Sequence, residues 1–378
     1  MPAAGTVLSR MGALRIGIDA TPLLGPTTGV GAFVSGLLPA LAAEDPDLLL
    51  TGYGLTWNGR GALPRALPPG VRAPRRLPMP AAALLPVWAR SDHPVVEWWT
   101  GAIDVVHGTN FVAPPARRAA AVVTVHDLTA IHYPELCTPA SRRYPALVRR
   151  ALERGALVHT HTEFVAAEVV DVFGADPDRV TAVAPGVDAP PARDEHPPAS
   201  PNILAVGSIE PRKDLPTLVR AFDLVAAKDP DVRLILAGPD AWGASDLDAV
   251  LAASPYRSRI ERTGWVTDSR RASLLRSATV LAYPSLYEGF GLPPLEAMAA
   301  GVPVIATRAG SLPEVVGEAA RLVPPRDPDA LAATLLDVLT DDGERAALAA
   351  RGRARAAQFT WQRCARGLLD LYQRAARR

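Results

Sequence analysis

The segment from Tyr287 to Met298, YEGFGLPPLEAM, places two glutamates, Glu288 and Glu296, on either side of a Gly-Phe-Gly turn and a pair of prolines. The glycines allow a ligand to approach the backbone closely, and the prolines suit the first turn of a helix. Backbone N–H groups at a helix N-terminus bind phosphate through hydrogen bonds and the helix dipole. The turn is therefore predicted to cradle a phosphate with the N–H groups of Gly289, Phe290, Gly291 and Leu292.

The two glutamates need a different ligand, because a carboxylate repels a phosphate but accepts hydrogen bonds from sugar hydroxyls. Glu296 is expected in the first turn of the following helix, and Glu288 just before the turn. We interpret both as residues that hold hydroxyl groups next to the phosphate. A purely structural interpretation, in which Glu296 caps a helix and the glycines only form a turn, remains open.

A second segment, GSIEPRKDLPTL, carries the adjacent cations Arg212 and Lys213 just before a helix expected to begin near Asp214. Cations favour helix C-termini, so a pair at an N-terminus opposes the dipole and suggests an anionic ligand. The alternative is a solvated basic corner. Because this segment and the phosphate cradle both follow strands of one sheet, a diphosphate accounts for them better.

Three further residues are candidates in the first half of the chain. His126, in VTVHDL, ends a strand and could face a ligand, although a structural histidine is the commoner case. Gly29 and Gly31 follow the first strand, but they make a poor dinucleotide fingerprint, and the next strand lacks a terminal acid for a ribose. We reject a nicotinamide site; a glycine loop beneath a sugar donor remains open.

These residues require a scaffold of parallel strands. Short apolar runs such as LRIGIDA, NILAVGS, VRLILAG, ATVLAYPS and VPVIAT alternate with helical patterns, which predicts α/β architecture with both faces of each sheet covered. The proline-rich segment 188–201 is interpreted as a linker between two doubly wound domains, and 56–88 as a long loop region. Ligands of such sheets lie beyond the carboxyl ends of the strands, so we expect a ligand in a cleft between the domains.

Composition excludes several classes of protein. The chain has 378 residues, 48% of them hydrophobic, which favours two domains with sizeable cores. The net charge of +1 gives no global attraction to nucleic acid. Two distant cysteines argue against a disulfide framework and a zinc site, so we expect a cytoplasmic protein. We expect neither a signal peptide nor a transmembrane helix.

The motifs VGSIEPRKDLPTLVRAF and SLYEGFGLPPLEAMAAGVPVIATRAGSLPEVVGEAA, with VTVHDL, TEFVAAEVVDVFG and VAPGVD, resemble retaining family-4 glycosyltransferases of the GT-B fold. The resemblance covers most of the chain from Leu14 onward and is more specific in the second half. It implies two Rossmann-like domains, an acceptor-binding domain over 1–190 and a donor-binding domain over 191–356. The terminal helix, 357–378, is expected to pack back onto the first domain.

The resemblance also implies a role for each candidate. Arg212 and Lys213 would bind the donor's diphosphate, and the turn from Gly289 to Leu292 its distal phosphate. Glu288 would hold hydroxyls of the transferred sugar and Glu296 those of the ribose.

Three contacts would complete the donor site. His126 would reach the sugar from the opposite domain, and backbone near Val266 would meet the base. Gly29 and Gly31 would shape the donor or acceptor loop, and the unusual pair His159 and His161 could contact an acceptor.

The implied function is transfer of a hexose from a nucleoside diphosphate-sugar, GDP-mannose ahead of UDP-hexoses, to a glycan, lipid-linked or small-molecule acceptor. No cofactor and no metal are expected, and retention would proceed by same-face displacement. Two alternatives are a catalytically silent sugar-nucleotide-binding subunit and a UDP-sugar epimerase of the same fold. The basic helix carrying Arg142, Arg143, Arg149 and Arg150 could touch the inner face of a membrane, or be a solvated face. Acceptor, donor, linkage and oligomeric state are left open.

Overall fold

The structure is a computed structural model that describes residues 13–25, 28–74, 77–188, 200–242 and 244–378. Within these residues the strands form two β-sheets. The first sheet contains β1 (Arg15–Asp19), β2 (Leu49–Tyr53), β3 (Val71–Arg72), β4 (Val105–Gly108), β5 (Ala120–Val125), β6 (Leu157–Thr160) and β7 (Val180–Ala182). The second contains β8 (Asn202–Val206), β9 (Arg233–Ala237), β10 (Ile260–Gly264), β11 (Val280–Tyr283), β12 (Val304–Thr307) and β13 (Arg321–Val323).

The order of the strands is β3-β2-β1-β4-β5-β6-β7 in the first sheet and β10-β9-β8-β11-β12-β13 in the second. The pairings within the second sheet are parallel, as are those that join β1 to β5 in the first. In each sheet the chain starts near the middle, winds to one edge and then returns to wind to the other. This is the doubly wound topology, and it confirms the predicted fold class.

Helices connect the strands of both sheets. They are α1 (Gly29–Glu44), α2 (Leu63–Ala66), α3 (Ala81–Trp88), α4 (Glu97–Thr100), α5 (Thr129–His132), α6 (Tyr144–Glu153), α7 (Glu163–Phe173), α8 (Leu215–Ala226), α9 (Ala244–Ala253), α10 (Asp268–Ser277), α11 (Leu292–Ala299), α12 (Leu312–Val316), α13 (Pro328–Thr340), α14 (Asp342–Ala356) and α15 (Trp361–Ala376). Short 3₁₀ helices lie between them, including Pro211–Lys213.

The second sheet is buried on both faces because successive side chains of a strand point in opposite directions. In β8, Ile203 and Ala205 enter one hydrophobic core, which includes residues of α8 and α13. Leu204 and Val206 enter another core, which includes residues of α11 and α12. A strand covered on both sides must be apolar at every position, and this is why its sequence reads as a continuous run.

Aspartates mark several element boundaries. The first acid of each Asp-Pro-Asp segment accepts a hydrogen bond from a backbone N–H two or three residues later. The distances are 3.0 Å for Asp45, 3.0 Å for Asp176 and 2.9 Å for Asp327. These acids are therefore turn and cap residues.

The prediction of an irregular loop over 56–88 is wrong. The structure places α2, β3 and α3 there. Helix α3 forms because AAALLPVW buries Leu84 and Trp88, and the Trp88 indole N–H donates to the carbonyl of Pro94 at 2.9 Å. Most of the predicted linker, 189–199, lies outside the described residues.

Residue contacts divide the chain into two compact units. One comprises the described residues of Met1–Val125 with Ala146–His159 and Cys364–Arg378, and the other comprises those of His126–Pro145 with Thr160–Arg363. In the first unit, Tyr372 of α15 is buried and its hydroxyl lies 2.7 Å from Nδ1 of His107. The domain boundaries at 190 and 356 stay a prediction.

Candidate active site

The candidate site lies in the second unit, where strand order reverses between β8 and β11. Arg212 and Lys213 follow β8 in the 3₁₀ turn Pro211–Lys213, and Glu288 follows β11. Strands on either side of such a switch point lead their connections in opposite directions, and this opens a crevice at their carboxyl ends. The topology therefore brings together residues that lie 75 positions apart in the sequence.

An ion cluster forms the centre of this site. Glu288 Oε2 lies 2.7 Å from Arg212 Nη1, and Glu288 Oε1 lies 2.6 Å from Lys213 Nζ. Lys213 Nζ also donates to the hydroxyl of Tyr283 at 2.6 Å, and Arg212 Nη2 contacts Glu210 Oε1 at 2.6 Å. The side chains of the central three residues are at most 16% exposed, so water screens these charges poorly.

Burial and charge act against each other in this cluster. Burial alone would raise the pKa of Glu288, but the positive charges of Arg212 and Lys213 outweigh it and lower that pKa to about 2. Burial lowers the pKa of Lys213, and the nearby carboxylate of Glu288 opposes that effect. Glu288 is thus ionised at neutral pH and stabilises the positive charges of Arg212 and Lys213.

The Gly-Phe-Gly turn leads into α11 as the sequence predicts, with Gly291 in the left-handed region at φ 105° and Pro293 and Pro294 in the first turn. Its carbonyl side is occupied: the carbonyl of Gly289 accepts from Thr162 Oγ1 at 3.1 Å, and that of Glu288 from Ser311 N at 2.9 Å. In the described part of the chain, no hydrogen bond is formed by the N–H groups of Gly289, Phe290, Gly291 and Leu292. These four N–H groups are the donors that the sequence predicts to cradle a phosphate.

Glu296 lies in the second turn of α11, so the expectation that it lies in the first turn is wrong. It forms an ion pair with Arg271 of α10. Burial raises the pKa of Glu296, and the charge of Arg271 partly offsets this. The structure does not bring Glu296 into the cluster of Arg212, Lys213 and Glu288; it holds it at the far end of the same turn.

His126 lies against the Gly-Phe-Gly turn within the second unit. A Cβ built on Gly289 would overlap the carbonyl group of His126, so the close approach requires glycine. Nδ1 of His126 lies 2.8 Å from Nε2 of His161, and the ring of His161 packs edge-on against Phe290 at 5.9 Å between centroids. His126 is thus next to the proposed phosphate cradle and shares a hydrogen bond with a second histidine.

The remaining predicted residues lie elsewhere. Val266 follows β10 and packs, half-buried, against the core that includes α11. In the first unit, Gly29 and Gly31 begin α1, where the Thr28 side chain accepts from the Gly31 N–H at 3.2 Å. A Cβ built on Gly29 would have open space around it, so no close contact requires glycine at this position.

Sequence analysis missed four residues of this neighbourhood: Glu210, Arg271, Tyr283 and His161 as a partner of His126. Glu210 lies inside the quoted motif GSIEPRKDL, and its position two residues before Arg212 could have suggested it. Arg271 is 25 residues from Glu296 on another helix, so no local pattern relates them.

Two features of the described residues bear on cofactors and membranes. No group of three or more His, Cys, Asp or Glu side chains is placed to hold a metal ion. No described helix has the length and apolar character that spanning a bilayer requires. The basic segment before and within α6 is partly compensated, since Arg150 Nη2 lies 2.9 Å from Asp92 Oδ1.

Comparison with known proteins matches both halves of the chain to glycosyltransferase models. Residues 27–190 match the model described as Glycosyltransferase Family 4, and residues 200–341 match Glycosyl transferases group 1. This chain belongs to glycosyltransferase family 4. The resemblance of the motifs to family-4 glycosyltransferases is thereby confirmed.

Curated relatives of this glycosyltransferase include two mannosyltransferases. The O-antigen chain mannosyltransferase B of Escherichia coli is 33% identical, over 71% of this chain and 74% of its own. The MMP alpha-(1->4)-mannosyltransferase of Mycolicibacterium hassiacum is 32% identical, over 74% and 72%. The D-inositol 3-phosphate glycosyltransferase of Mycolicibacterium smegmatis is 32% identical, over 73% and 68%.

Solved structures share the fold of this glycosyltransferase. Sucrose-phosphate synthase from Thermosynechococcus elongatus superposes with a TM-score of 0.75 at 21% identity, covering 96% of this chain and 98% of that one. An Anabaena protein in complex with UDP and glucose superposes with a TM-score of 0.72 at 18% identity, covering 96% and 99%. The GT-B fold is therefore confirmed.

Proposed function

We propose that this glycosyltransferase moves a hexose, with retention of anomeric configuration and without a metal ion, from a nucleoside diphosphate-sugar to an acceptor hydroxyl. The observation that carries the proposal is the cluster of Arg212, Lys213 and Glu288, whose side chains are at most 16% exposed. It lies beside a turn whose N–H groups form no hydrogen bond with any described residue. Cations and preoriented N–H donors at the carboxyl ends of parallel strands are suited to a diphosphate.

The two acids then take different hydroxyl groups. An arriving diphosphate competes with Glu288 for Arg212 and Lys213, and Glu288 is left close enough to accept hydrogen bonds from the sugar. Glu296, at the other end of the turn and paired with Arg271, would accept from the ribose. His126 would contact the sugar, and the backbone at Val266 the base.

In the proposed reaction the bond between the anomeric carbon and the phosphate oxygen breaks, and a bond from the acceptor oxygen to the same carbon forms on the same face. The acceptor's proton passes to an oxygen of the leaving diphosphate. Negative charge grows on that diphosphate as the bond breaks, and Arg212, Lys213 and the turn's N–H groups stabilise it. Loss of one such contact typically lowers the rate by about 10²–10³.

Mannose is the sugar we favour, with GDP as the nucleotide. Support comes from the relatives, of which two are named mannosyltransferases. A UDP-hexose is second, since the Anabaena neighbour was solved with UDP and glucose. The acceptor is proposed as a hydroxyl of a glycan, a lipid-linked sugar or a small molecule, met at a cytoplasmic membrane surface if it is lipid-linked.

The test combines binding with turnover. The full chain is screened by thermal shift against GDP, UDP, GDP-mannose and UDP-glucose, because a ligand that binds only the folded state raises its melting temperature. Release of nucleoside diphosphate from the stabilising donor is then measured with EDTA present, using water as the acceptor. A donor that stabilises the protein and is slowly hydrolysed supports the proposal. Stabilisation by none of the four ligands would refute it.

A further inference from the structure

Tyr287, which directly precedes Glu288, is fixed at both ends of its side chain. It is 4% exposed, and its ring packs against the rings of His132, Tyr133 and Phe164 at centroid distances of 5.8, 5.6 and 6.3 Å. Its hydroxyl donates to Glu168 of α7 and accepts from the backbone N–H of Leu128 at 3.1 Å. A buried tyrosine with both hydrogen-bonding functions satisfied has a single preferred position.

The backbone of Tyr287 belongs to the ion cluster. Its carbonyl accepts a hydrogen bond from Arg212 Nη1 at 2.8 Å, and the N–H of Leu286 donates to the carbonyl of Arg212 at 2.8 Å. The same Arg212 nitrogen lies 2.7 Å from Glu288 Oε2. A movement of the Tyr287 side chain would therefore be transmitted to the guanidinium and to the carboxylate of the next residue.

Glu168 holds the hydroxyl end of this arrangement. Its side chain is 17% exposed, and it uses one oxygen for Tyr287 and the other for Nε2 of His132 at 2.8 Å. Burial raises the pKa of Glu168, while the hydrogen bond from Tyr287 and the charge of His132 oppose the rise; Asp127 also faces this group. Removing a carboxylate from water is unfavourable, and the contacts with Tyr287 and His132 offset this loss of solvation for Glu168.

We propose that Glu168, supported by His132, is a positioning residue of the glycosyltransferase reaction that acts through Tyr287 on Arg212 and Glu288. This inference rests on the proposed function, in which those two residues grip the donor. Within the described residues, Glu168 and His132 form no hydrogen bond or ion pair with Arg212, Lys213 or Glu288. Their role is to keep the segment from Leu286 to Glu288 in register with Arg212.

A positioning role predicts that substitution lowers kcat much more than it weakens nucleotide binding. Small displacements of charged groups weaken ground-state binding little, but a misplacement of about 1 Å can lower the rate of the chemical step by about 10²-fold. We therefore expect loss of the Tyr287 hydroxyl or of the Glu168 carboxylate to lower kcat about 10- to 100-fold. The Kd for GDP, or for UDP if that is the nucleotide bound, should change by less than about threefold.

The experiment uses the full chain and four variants: Tyr287→Phe, Glu168→Ala, Glu168→Gln and the control Tyr133→Phe. Glutamine keeps a side-chain oxygen that can accept from the Tyr287 hydroxyl, so Glu168→Gln should recover most of the kcat that Glu168→Ala loses. Tyr133 packs in the same ring cluster, and in the part of the chain that the structure describes its hydroxyl forms no hydrogen bond. Tyr133→Phe should therefore match the wild type.

The double variant Tyr287→Phe/Glu168→Ala completes a mutant cycle. Because the two residues act through one hydrogen bond, the double variant should be no slower than the slower single variant. Donor hydrolysis and transfer are expressed per nucleotide-binding site, so that partly unfolded protein does not contribute to the measured kcat.

Two outcomes would overturn the inference: wild-type kcat per binding site in Tyr287→Phe and Glu168→Ala, or a loss that Glu168→Gln does not recover. If these two variants have a lower melting temperature but an unchanged kcat, the role of Tyr287 and Glu168 is purely structural. Failure of the proposed function is distinguishable, because the wild-type protein itself would then bind no nucleotide and release none from a donor.

Discussion

Replacement of Glu288 by glutamine should have an effect on stability that can be calculated from its surroundings. Its pKa is about 2 in the folded protein against an ordinary value of 4.5, and it is 6% exposed. One pKa unit corresponds to about 1.4 kcal/mol, so the ionised carboxylate contributes about 3 kcal/mol to the free energy of unfolding at pH 7. Glu288→Gln should lose about that much, because a neutral amide cannot compensate the positive charges of Arg212 and Lys213.

The pH dependence of this difference has a definite sign. A carboxyl group whose pKa is depressed on folding stabilises the protein above its unfolded pKa, and the contribution disappears as the pH falls towards the folded pKa. The difference in unfolding free energy between the wild type and Glu288→Gln should thus be constant from pH 8 to pH 5. At pH 3.5 it should have narrowed by about 1 kcal/mol, since the contribution of the carboxylate is lost between pH 4.5 and about 2.

Urea unfolding of both proteins, followed by tryptophan fluorescence between pH 8 and pH 3.5, measures the difference. Glu261→Gln is the matched control, since Glu261 is an exposed acid on β10 with no ion pair within the described residues, and it should differ from the wild type at no pH. If Glu288→Gln is as stable as the wild type at pH 7, or if the difference widens on acidification, the electrostatic account of the cluster is wrong.

Three further predictions concern the same site. Lys213→Ala should lower turnover about 100-fold or more because a cation facing the leaving diphosphate is lost. Lys228→Ala, in the exposed turn that follows α8, should turn over normally, and steady-state kinetics compare the two variants. EDTA should leave donor turnover unchanged, and a full loss that manganese restores would contradict a metal-free mechanism. Gly289→Ala should lower the free energy of unfolding by about 1–3 kcal/mol, because its Cβ would meet the His126 carbonyl; Gly61→Ala, with open space around it, is the control for a denaturation series.

The sequence could predict the strands that are buried on both faces of a sheet. Strands such as β8 and β11 are covered on both faces, so their apolar runs stand out without any other information. The strands that sequence analysis did not identify are β3, β7, β10 and β13, and these are the four edge strands of the two sheets. An edge strand pairs on one side only and tolerates polar residues, as the segment IERTG of β10 shows, so it has no continuous apolar pattern.

A similar limit applies to the site. The acids and cations could be identified because each lies beside a glycine turn or a helix start within a few residues. The partners that set their properties come from distant positions: Glu168 is 119 residues from Tyr287, and Thr162 is 127 residues from Gly289. Pairs at such separation follow from the topology of the chain and leave no trace in local spacing.

The two glutamates of the motif show why geometry is needed to separate residues of one type. Glu288 is buried and Glu296 is half-buried, and burial raises the pKa of each. Glu288 faces two cations, whose combined charge reverses the effect. At Glu296 burial outweighs the charge of Arg271, and the nearby acids Asp188 and Asp268 raise its pKa further. The two carboxylates are eight residues apart, yet the pKa of one is lowered and that of the other is raised. They therefore cannot have interchangeable roles. Glu288 is ionised at neutral pH and pairs with both Arg212 and Lys213, whereas Glu296 is held by Arg271 on a neighbouring helix.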